Sequence, residues 1–379
     1  MKQKHIFLLV LFSVGIKLVY CGVNLYIEKS GGSRTFLQNY YQVSKKNDSY
    51  WYQGIAIVGY DKVNTREDLG YVRVDGFKQS NWAFFPFYPM MNRFLMRTAG
   101  MNFDESASII SLVFSTLAMI GIYWFCCLYF GDSRHSLYAT LLFFSFPYSF
   151  YFSMFYTEAV FLSVLIFSFV VIHSNRTYFL IPLLVPLVLL RPNGVVFLIP
   201  LYLYYLERSG LIRSLRIDWK GIFRLENLRR SLVFASGPLA FTGYCIYQYV
   251  VTGYFFAFSI AQVGWFRDVG SPWAPLFKGE GFVYDFNSAY TILAIVVAVM
   301  MLKKMPLSLN VLVWSSILLP LTSGSVISMP RYISVVFPLF MFLSGHFYRS
   351  EGRNFLLAAV FFLQLASLFP WIKLYPLGY

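Results

Sequence analysis

The chain has 379 residues, 58% of them hydrophobic and 13% charged, with a net charge of +14. A soluble domain carries about 25% charged residues, so the composition excludes an ordinary soluble enzyme. The basic residues are scattered between apolar runs rather than gathered in a polar domain, which excludes a nucleic-acid binder. The apolar runs are long and lack the alternating pattern of barrel strands, so the fold class is an all-α polytopic membrane protein. Its positive charge is first of all the bias of cytoplasmic loops.

In chain order, Lys2 and Lys4 precede an apolar run from Ile6 to about Ile27. The run is longer than a signal-peptide core and lacks an Ala-x-Ala site, so it reads as an uncleaved span with its N-terminus inside. Residues 28–105 then mix charges, Gly31-Gly32 and aromatic side chains. This predicts a long first extracytoplasmic loop. Within it, Asn47-Asp48-Ser49-Tyr50-Trp51-Tyr52 sets one carboxylate among three rings. Farther on, Met90 to Arg97 is half apolar and carries Arg93 and Arg97, which predicts a helix lying in the membrane interface.

Further apolar runs lie at about 106–130, 136–153, 158–173, 178–190, 194–206, 231–252, 288–302, 307–323, 332–348 and 355–371. With the first, they predict about eleven transmembrane helices in a single domain over 1–379. Several are shorter than the ~20 residues of a straight crossing, and Pro147, Pro182, Pro186, Pro192 and Pro200 predict broken helices.

The connections 131–135, 174–177, 207–230, 303–306 and 349–354 then face the cytoplasm. The 207–230 loop is the most basic, with Arg208, Arg213, Arg216, Lys220, Arg224, Arg229 and Arg230. The 253–287 loop, with Arg267, Asp268 and Lys278, faces out, as does the C-terminus. Glu158, Arg191 and Arg331 fall on short outer connections, on the same side as Asp48. Ionisable groups there are costly and are functional candidates by default. Cys21, Cys126, Cys127 and Cys245 sit in apolar runs as small hydrophobes, with no disulfide or metal spacing. His5, His135, His173 and His346 form no sequence cluster.

Six motifs resemble the GPI mannosyltransferase II (PIG-V) family and its bacterial relatives, within the GT-C class of membrane glycosyltransferases. Asp48-x-x-Trp51-Tyr52-x-x-Ile55-Ala56-x-x-Gly59-Tyr60 is similar to a Trp-Asp-x-x-Tyr segment in that family's first outer loop. Phe84-Phe85-Pro86-Phe87-Tyr88-Pro89 followed by Arg93 is similar to its Phe-Phe-Pro-Leu-Tyr-Pro pattern. Phe146 to Glu158 resembles a segment ending in Tyr-Thr-Glu, and Arg191-Pro192-Asn193-Gly194 resembles Arg-Pro-x-Gly. Gln262-x-x-Trp265 and Ser328-Met329-Pro330-Arg331-Tyr332 are similar to later motifs. One departure is Asn47, where the family usually has Trp before the acid.

The resemblance implies an inverting, metal-independent transfer of mannose from a polyprenyl- or dolichyl-phosphate donor to a glycan or glycolipid acceptor. It places the active site away from the cytosol and implies no cofactor. Such a transfer needs a base for the acceptor hydroxyl and a stabilised phosphate leaving group. Asp48 suits the first role. Arg191, Arg331 and Arg93 suit the second, through forked hydrogen bonds to phosphate. Trp51, Tyr52, Tyr88, Glu158, Gln262, Trp265 and Tyr332 are the candidate substrate contacts.

Structural roles stay open for the same residues. Glu158 and Arg191 would pair in a polar seam, Arg331 would reach lipid headgroups, and the rings would form an interfacial belt. A transporter of lipid-linked sugar is the alternative function. Asn47-Asp48-Ser49 is also a glycosylation sequon that overlaps the candidate base. That favours a bacterial cytoplasmic membrane over the endoplasmic reticulum.

Overall fold

The computed structural model describes residues 1–28, 35–213, 216–267 and 269–378, so Gly31-Gly32 and Asp268 lie outside the described residues. The first helices in chain order are α1 (Gln3–Glu28), α2 (Phe36–Ser44), α3 (Asp48–Ile57), α4 (Phe87–Ala99), α5 (Phe103–Phe130), α6 (Ser133–Ser145), α7 (Glu158–His173), α8 (Ile181–Leu190) and α9 (Leu198–Arg208). The main later ones are Ser236–Thr252, Phe282–Met301, Leu307–Leu321, Met329–Ser334, Phe337–Phe347 and Arg353–Ile372. The described strands are two small antiparallel pairs, Tyr71–Arg73 with Gly76–Lys78 and Ile212–Arg213 with Arg216–Ile217.

Each apolar run of the sequence contains helix, but among the described residues four helices are long and apolar enough to cross a membrane: α1, α5, Phe282–Met301 and Arg353–Ile372. The apolar helices Glu158–His173, Thr177–Leu190, Leu307–Leu321 and Phe337–Phe347 are shorter. A count of eleven full crossings therefore does not follow from the helix lengths. Proline is one reason. The 136–153 run breaks after Ser145, where Phe146 turns extended ahead of Pro147 and a 3-10 turn over Ser149–Ser153 follows. The 332–348 run is split between Met329–Ser334 and Phe337–Phe347.

α7 lies at the centre of the bundle. It is apolar on every side and most of its residues are buried, as expected for a helix surrounded by others. α5 packs closely on it at Gly121, where an added Cβ would stand 2.6 Å from the Ile166 side chain. Ser163 Oγ on α7 donates to the Phe114 carbonyl of α5 at 2.6 Å. On α1, the buried Lys17 Nζ donates to Ser115 Oγ at 3.1 Å and Ser153 Oγ at 2.9 Å, tying that helix to α5 and the 3-10 turn.

The ends of α7 separate two sets of loops. At its C-terminal end His173 Nδ1 meets Tyr204 Oη at 2.7 Å. Nearby connections join through Ser308 Oγ donating to Glu207 Oε2 at 2.5 Å and Tyr129 Oη donating to Met305 Sδ at 3.3 Å. His135 stacks between Phe130 and Tyr348. This is the end with the basic 207–230 loop. The N-terminal end of α7, at Glu158, meets the first loop.

Candidate active site

α3 begins at Asp48, and the turn before it is unusual. Asn47 has φ 45° and ψ −113°, a conformation that costs any side chain energy. The side-chain nitrogen of Asn47 is buried and makes no hydrogen bond in the structure. Glycan attachment at that atom would need the folded turn to open.

Tyr156 closes the turn from the chain segment before α7. Its hydroxyl donates to the Lys46 carbonyl at 3.1 Å and accepts from the Asp48 N–H at 3.2 Å. Arg93 holds the other end of α3. Its Nε donates to the Ala56 carbonyl at 2.7 Å and its Nη2 to the Ile55 carbonyl at 2.6 Å. Both carbonyls lie in the last turn, where a cation is favoured. Arg93, nominated as a phosphate ligand, is thus engaged in positioning the helix that carries Asp48.

The ionisable groups gathered at the N-terminal end of α7 form one chain. Asp48 Oδ2 accepts from Arg331 Nη1 at 2.7 Å. Arg331 Nε donates to Glu158 Oε1. Arg191 Nη2 lies 2.5 Å from the same oxygen, and Arg191 Nε donates to Thr157 Oγ1 at 2.7 Å. Arg331 also lies over the Tyr156 and Tyr151 rings, 4.4 and 5.2 Å from their centroids. Burial opposes the charge on Arg331, but Glu158 and Asp48 outweigh it and hold the guanidinium protonated, well above its usual range. Exposure is lowest at Glu158 and rises in both directions from it: the Glu158 side chain is 0% exposed, those of Arg191 and Arg331 10%, and that of Asp48 26%. The outermost carboxylate is therefore both held and reachable.

Local sequence explains the two arginines. Proline disfavours helix in the residue before it, so α8 ends at Leu190 and Arg191 is extended ahead of Pro192. The following turn folds back tightly: a Cβ on Gly194 would stand 2.1 Å from the Leu187 carbonyl oxygen. Pro330 lies in the first turn of Met329–Ser334, where its fixed φ suits helix initiation. Arg331 follows it.

A cluster of rings flanks Asp48. Trp51 stacks on Phe84 with centroids 5.8 Å apart, and Trp265 meets both edge-on at 5.6 and 5.5 Å. Trp51 and Trp265 are half-buried. Gly264 makes this meeting possible. A Cβ there would stand 2.3 Å from the Lys78 carbonyl oxygen, so the turn at Gln262–Trp265 docks on the first-loop hairpin through bare backbone.

Other sequence-nominated residues are placed differently. Tyr52 and Tyr88 are 5% and 0% exposed and pack against each other at 5.0 Å. Tyr88 on α4 packs beneath Tyr52 of α3, and neither offers an open face to a sugar, contrary to their expected role as substrate contacts. Glu158 is fully buried behind Arg331 and likewise has no substrate-facing surface. Gln262 contributes its carbonyl, which accepts from the Arg267 N–H at 3.3 Å. The Tyr332 hydroxyl accepts from Arg267 Nη2 at 2.9 Å. Arg191 and Arg331 are in the cluster with Asp48, but each is ion-paired with a carboxylate.

A cleft of about 810 Å³ opens beside the Asn47 turn, lined by Gln38, Tyr41, Lys45, Asn47, Tyr50 and Asp104 among others. Sequence reasoning did not find it, because its walls come from α2, the turn before α3 and the start of α5.

No family model matches the chain, and no curated protein matches it in sequence. Among solved structures, it is similar to the archaeal oligosaccharyltransferase AglB from Archaeoglobus fulgidus in complex with an inhibitory peptide and a dolichol-phosphate. The identity is 12% and the TM-score 0.44, with 96% of this chain and 55% of that one covered. The chain thus spans about half the length of that structure.

Proposed function

We propose that the protein is a GT-C-type membrane glycosyltransferase that moves mannose from a polyprenyl- or dolichyl-phosphate donor to a hydroxyl of a lipid- or glycan-linked acceptor. The reaction inverts the anomeric centre, takes place on the extracytoplasmic face and uses no metal. The observation that carries this reading is Asp48: one oxygen is fixed by Arg331, the side chain stays 26% exposed, and Trp51 and Trp265 stand alongside.

In this reading the acceptor approaches through the cleft beside Asn47. Asp48 takes the proton of the acceptor hydroxyl as its oxygen bonds to the anomeric carbon. The bond from that carbon to the phosphate oxygen breaks on the opposite side, and the lipid phosphate leaves with the electron pair. Trp51 and Trp265 present ring faces to the sugar. The transporter reading fits less well, because transporters place their polar site near the bilayer midplane and this cluster gathers at the helix ends beside the long loop.

The test is Asp48→Asn, which removes the basic oxygen with little change of shape. Positioned general bases contribute about 10²–10⁴ in rate. Turnover from polyprenyl-phosphate mannose in detergent should fall at least about a hundredfold, with donor binding retained and EDTA without effect on the wild type. Near-normal turnover in the variant would remove Asp48 as base, and loss of wild-type activity on chelation would remove the metal-free mechanism.

A further inference from the structure

The phosphate leaving group raises a charge question that the ion chain does not answer. Asp48 and Glu158 carry two negative charges, and Arg191 and Arg331 carry two positive ones, joined in one contact series. The series is neutral. A departing phosphate is best stabilised by positive charge that no carboxylate already offsets. Arg93 is tied to two carbonyls of α3. All three arginines nominated from the sequence are therefore engaged.

Arg267 is held differently. It follows the Gln262–Trp265 turn and is half-buried. Its Nη2 donates to Tyr332 Oη at 2.9 Å and its Nη1 to Ser323 Oγ at 3.3 Å. Its guanidinium lies over the Tyr332 ring, 5.6 Å from the centroid. Both side-chain partners are neutral hydroxyls, and among the described residues Arg267 meets no carboxylate. Its orientation is fixed while its charge is left available.

Its position fits the chemistry. Tyr332 is the residue after Arg331 on the helix Met329–Ser334, so consecutive side chains of one helix hold Arg267 and Asp48. Two residues before Arg267, Trp265 meets Trp51, itself three residues beyond Asp48 on α3. Arg267, which meets no carboxylate among the described residues, thus stands at the edge of the ring cluster that flanks the base.

We propose that Arg267, oriented by Tyr332 and Ser323, binds the phosphate of the lipid-phosphate donor and of the lipid phosphate released from it. This rests on the glycosyltransferase reading and adds the residue that would carry the leaving group. The guanidinium fork matches phosphate oxygens in a way that an ammonium does not. An anionic phospholipid headgroup offers similar chemistry, so the test must separate the two.

The experiment uses the full chain in neutral-lipid nanodiscs, with undecaprenyl phosphate as the probe and binding read by tryptophan fluorescence. Losing a charge-assisted contact corresponds to about a tenfold to hundredfold change in affinity. Arg267→Ala should weaken undecaprenyl phosphate binding by that factor and raise the donor KM, leaving the acceptor KM unchanged. Arg267→Lys should recover only part of the loss. Tyr332→Phe, which removes the orienting hydroxyl, should give a smaller loss in the same direction. It decides the matter if the Arg267 variants do not fold.

Wild-type affinity in Arg267→Ala would overturn the assignment and leave the glycosyltransferase reading intact. So would competition by phosphatidylglycerol as effective as that by undecaprenyl phosphate, which would make Arg267 a headgroup contact. If the wild type neither binds undecaprenyl phosphate nor transfers sugar, both readings fall together.

Discussion

Glu158→Gln tests whether the buried ion chain holds the site together. The substitution keeps the size of the side chain and removes its charge. In the wild type, Glu158 Oε1 faces both Arg191 and Arg331, and the Glu158 side chain has no exposure to solvent. In the variant, Asp48 remains the one carboxylate of the series for two guanidiniums, and Arg191 loses its acid. Breaking a buried pair by removing one partner costs about 3–5 kcal/mol, because the other charge is left uncompensated. Against a typical total of about 5–15 kcal/mol, this should be a large loss, read as a fall of several degrees in the thermal midpoint in detergent. Glu158→Gln combined with Arg191→Gln restores the balance of charge. The pair should therefore be less destabilised than the sum of the single variants, by about 0.5–3 kcal/mol, the usual range for residues in contact. The assay is a double-mutant cycle of thermal midpoints, followed by turnover of the variants that stay folded. Additive losses would refute the coupling of Glu158 with Arg191, and a Glu158→Gln protein that melts with the wild type would refute the view that the buried ion chain holds the site together.

Gly264→Ala should disturb the site from a distance, since the new methyl group would lie 2.3 Å from the Lys78 carbonyl oxygen. Overpacking of this kind costs about 1–3 kcal/mol, and the expected readout is lower turnover with altered tryptophan fluorescence as Trp265 shifts from Trp51. The hairpin of the first loop should respond to acid. A hydrogen bond from Lys78 and backbone N–H groups of Thr65 and Asn64 hold the Asp68 carboxyl well below the usual carboxylate range. A depressed folded value adds stability that is fully present above the unfolded pKa of about 3.9 and is lost as pH falls toward the folded one. Intrinsic-rate-corrected hydrogen exchange over Tyr71–Lys78 should thus be flat from pH 7 to about 4 and rise below it, and Asp68→Asn should remove the rise. For orientation, a Cys at the exposed Asp75 should be labelled by an impermeant maleimide from outside intact cells and a Cys at Lys220 should not. The reverse pattern would put Asp48 in the cytosol.

The sequence alone determined that each apolar run forms helix, but not α2 and α3 within the first loop or the split of the 332–348 run. Apolar runs must satisfy their backbone groups internally in lipid, and each run does contain helix. Proline set local boundaries by rules that need no tertiary contact: the residue before Pro192 leaves the helix, and Pro330 helps begin one. The outer acids and arginines were also legible, because a charge beside an apolar run is costly unless something holds it. Pairing was not legible. Asp48 and Arg331 are separated by 283 positions, and nothing in either segment specifies which arginine meets which carboxylate. Tyr52 and Tyr88 read as open ring platforms because aromatic residues suit both interfaces and cores. Only the packing of α3 on α4 buried them. The setting of Arg267 is equally tertiary, since its partners among the described residues, Tyr332 and Ser323, come from segments more than fifty positions away. Composition and local propensity act over a few residues, whereas the charge balance of a site is a sum over all the segments that reach it.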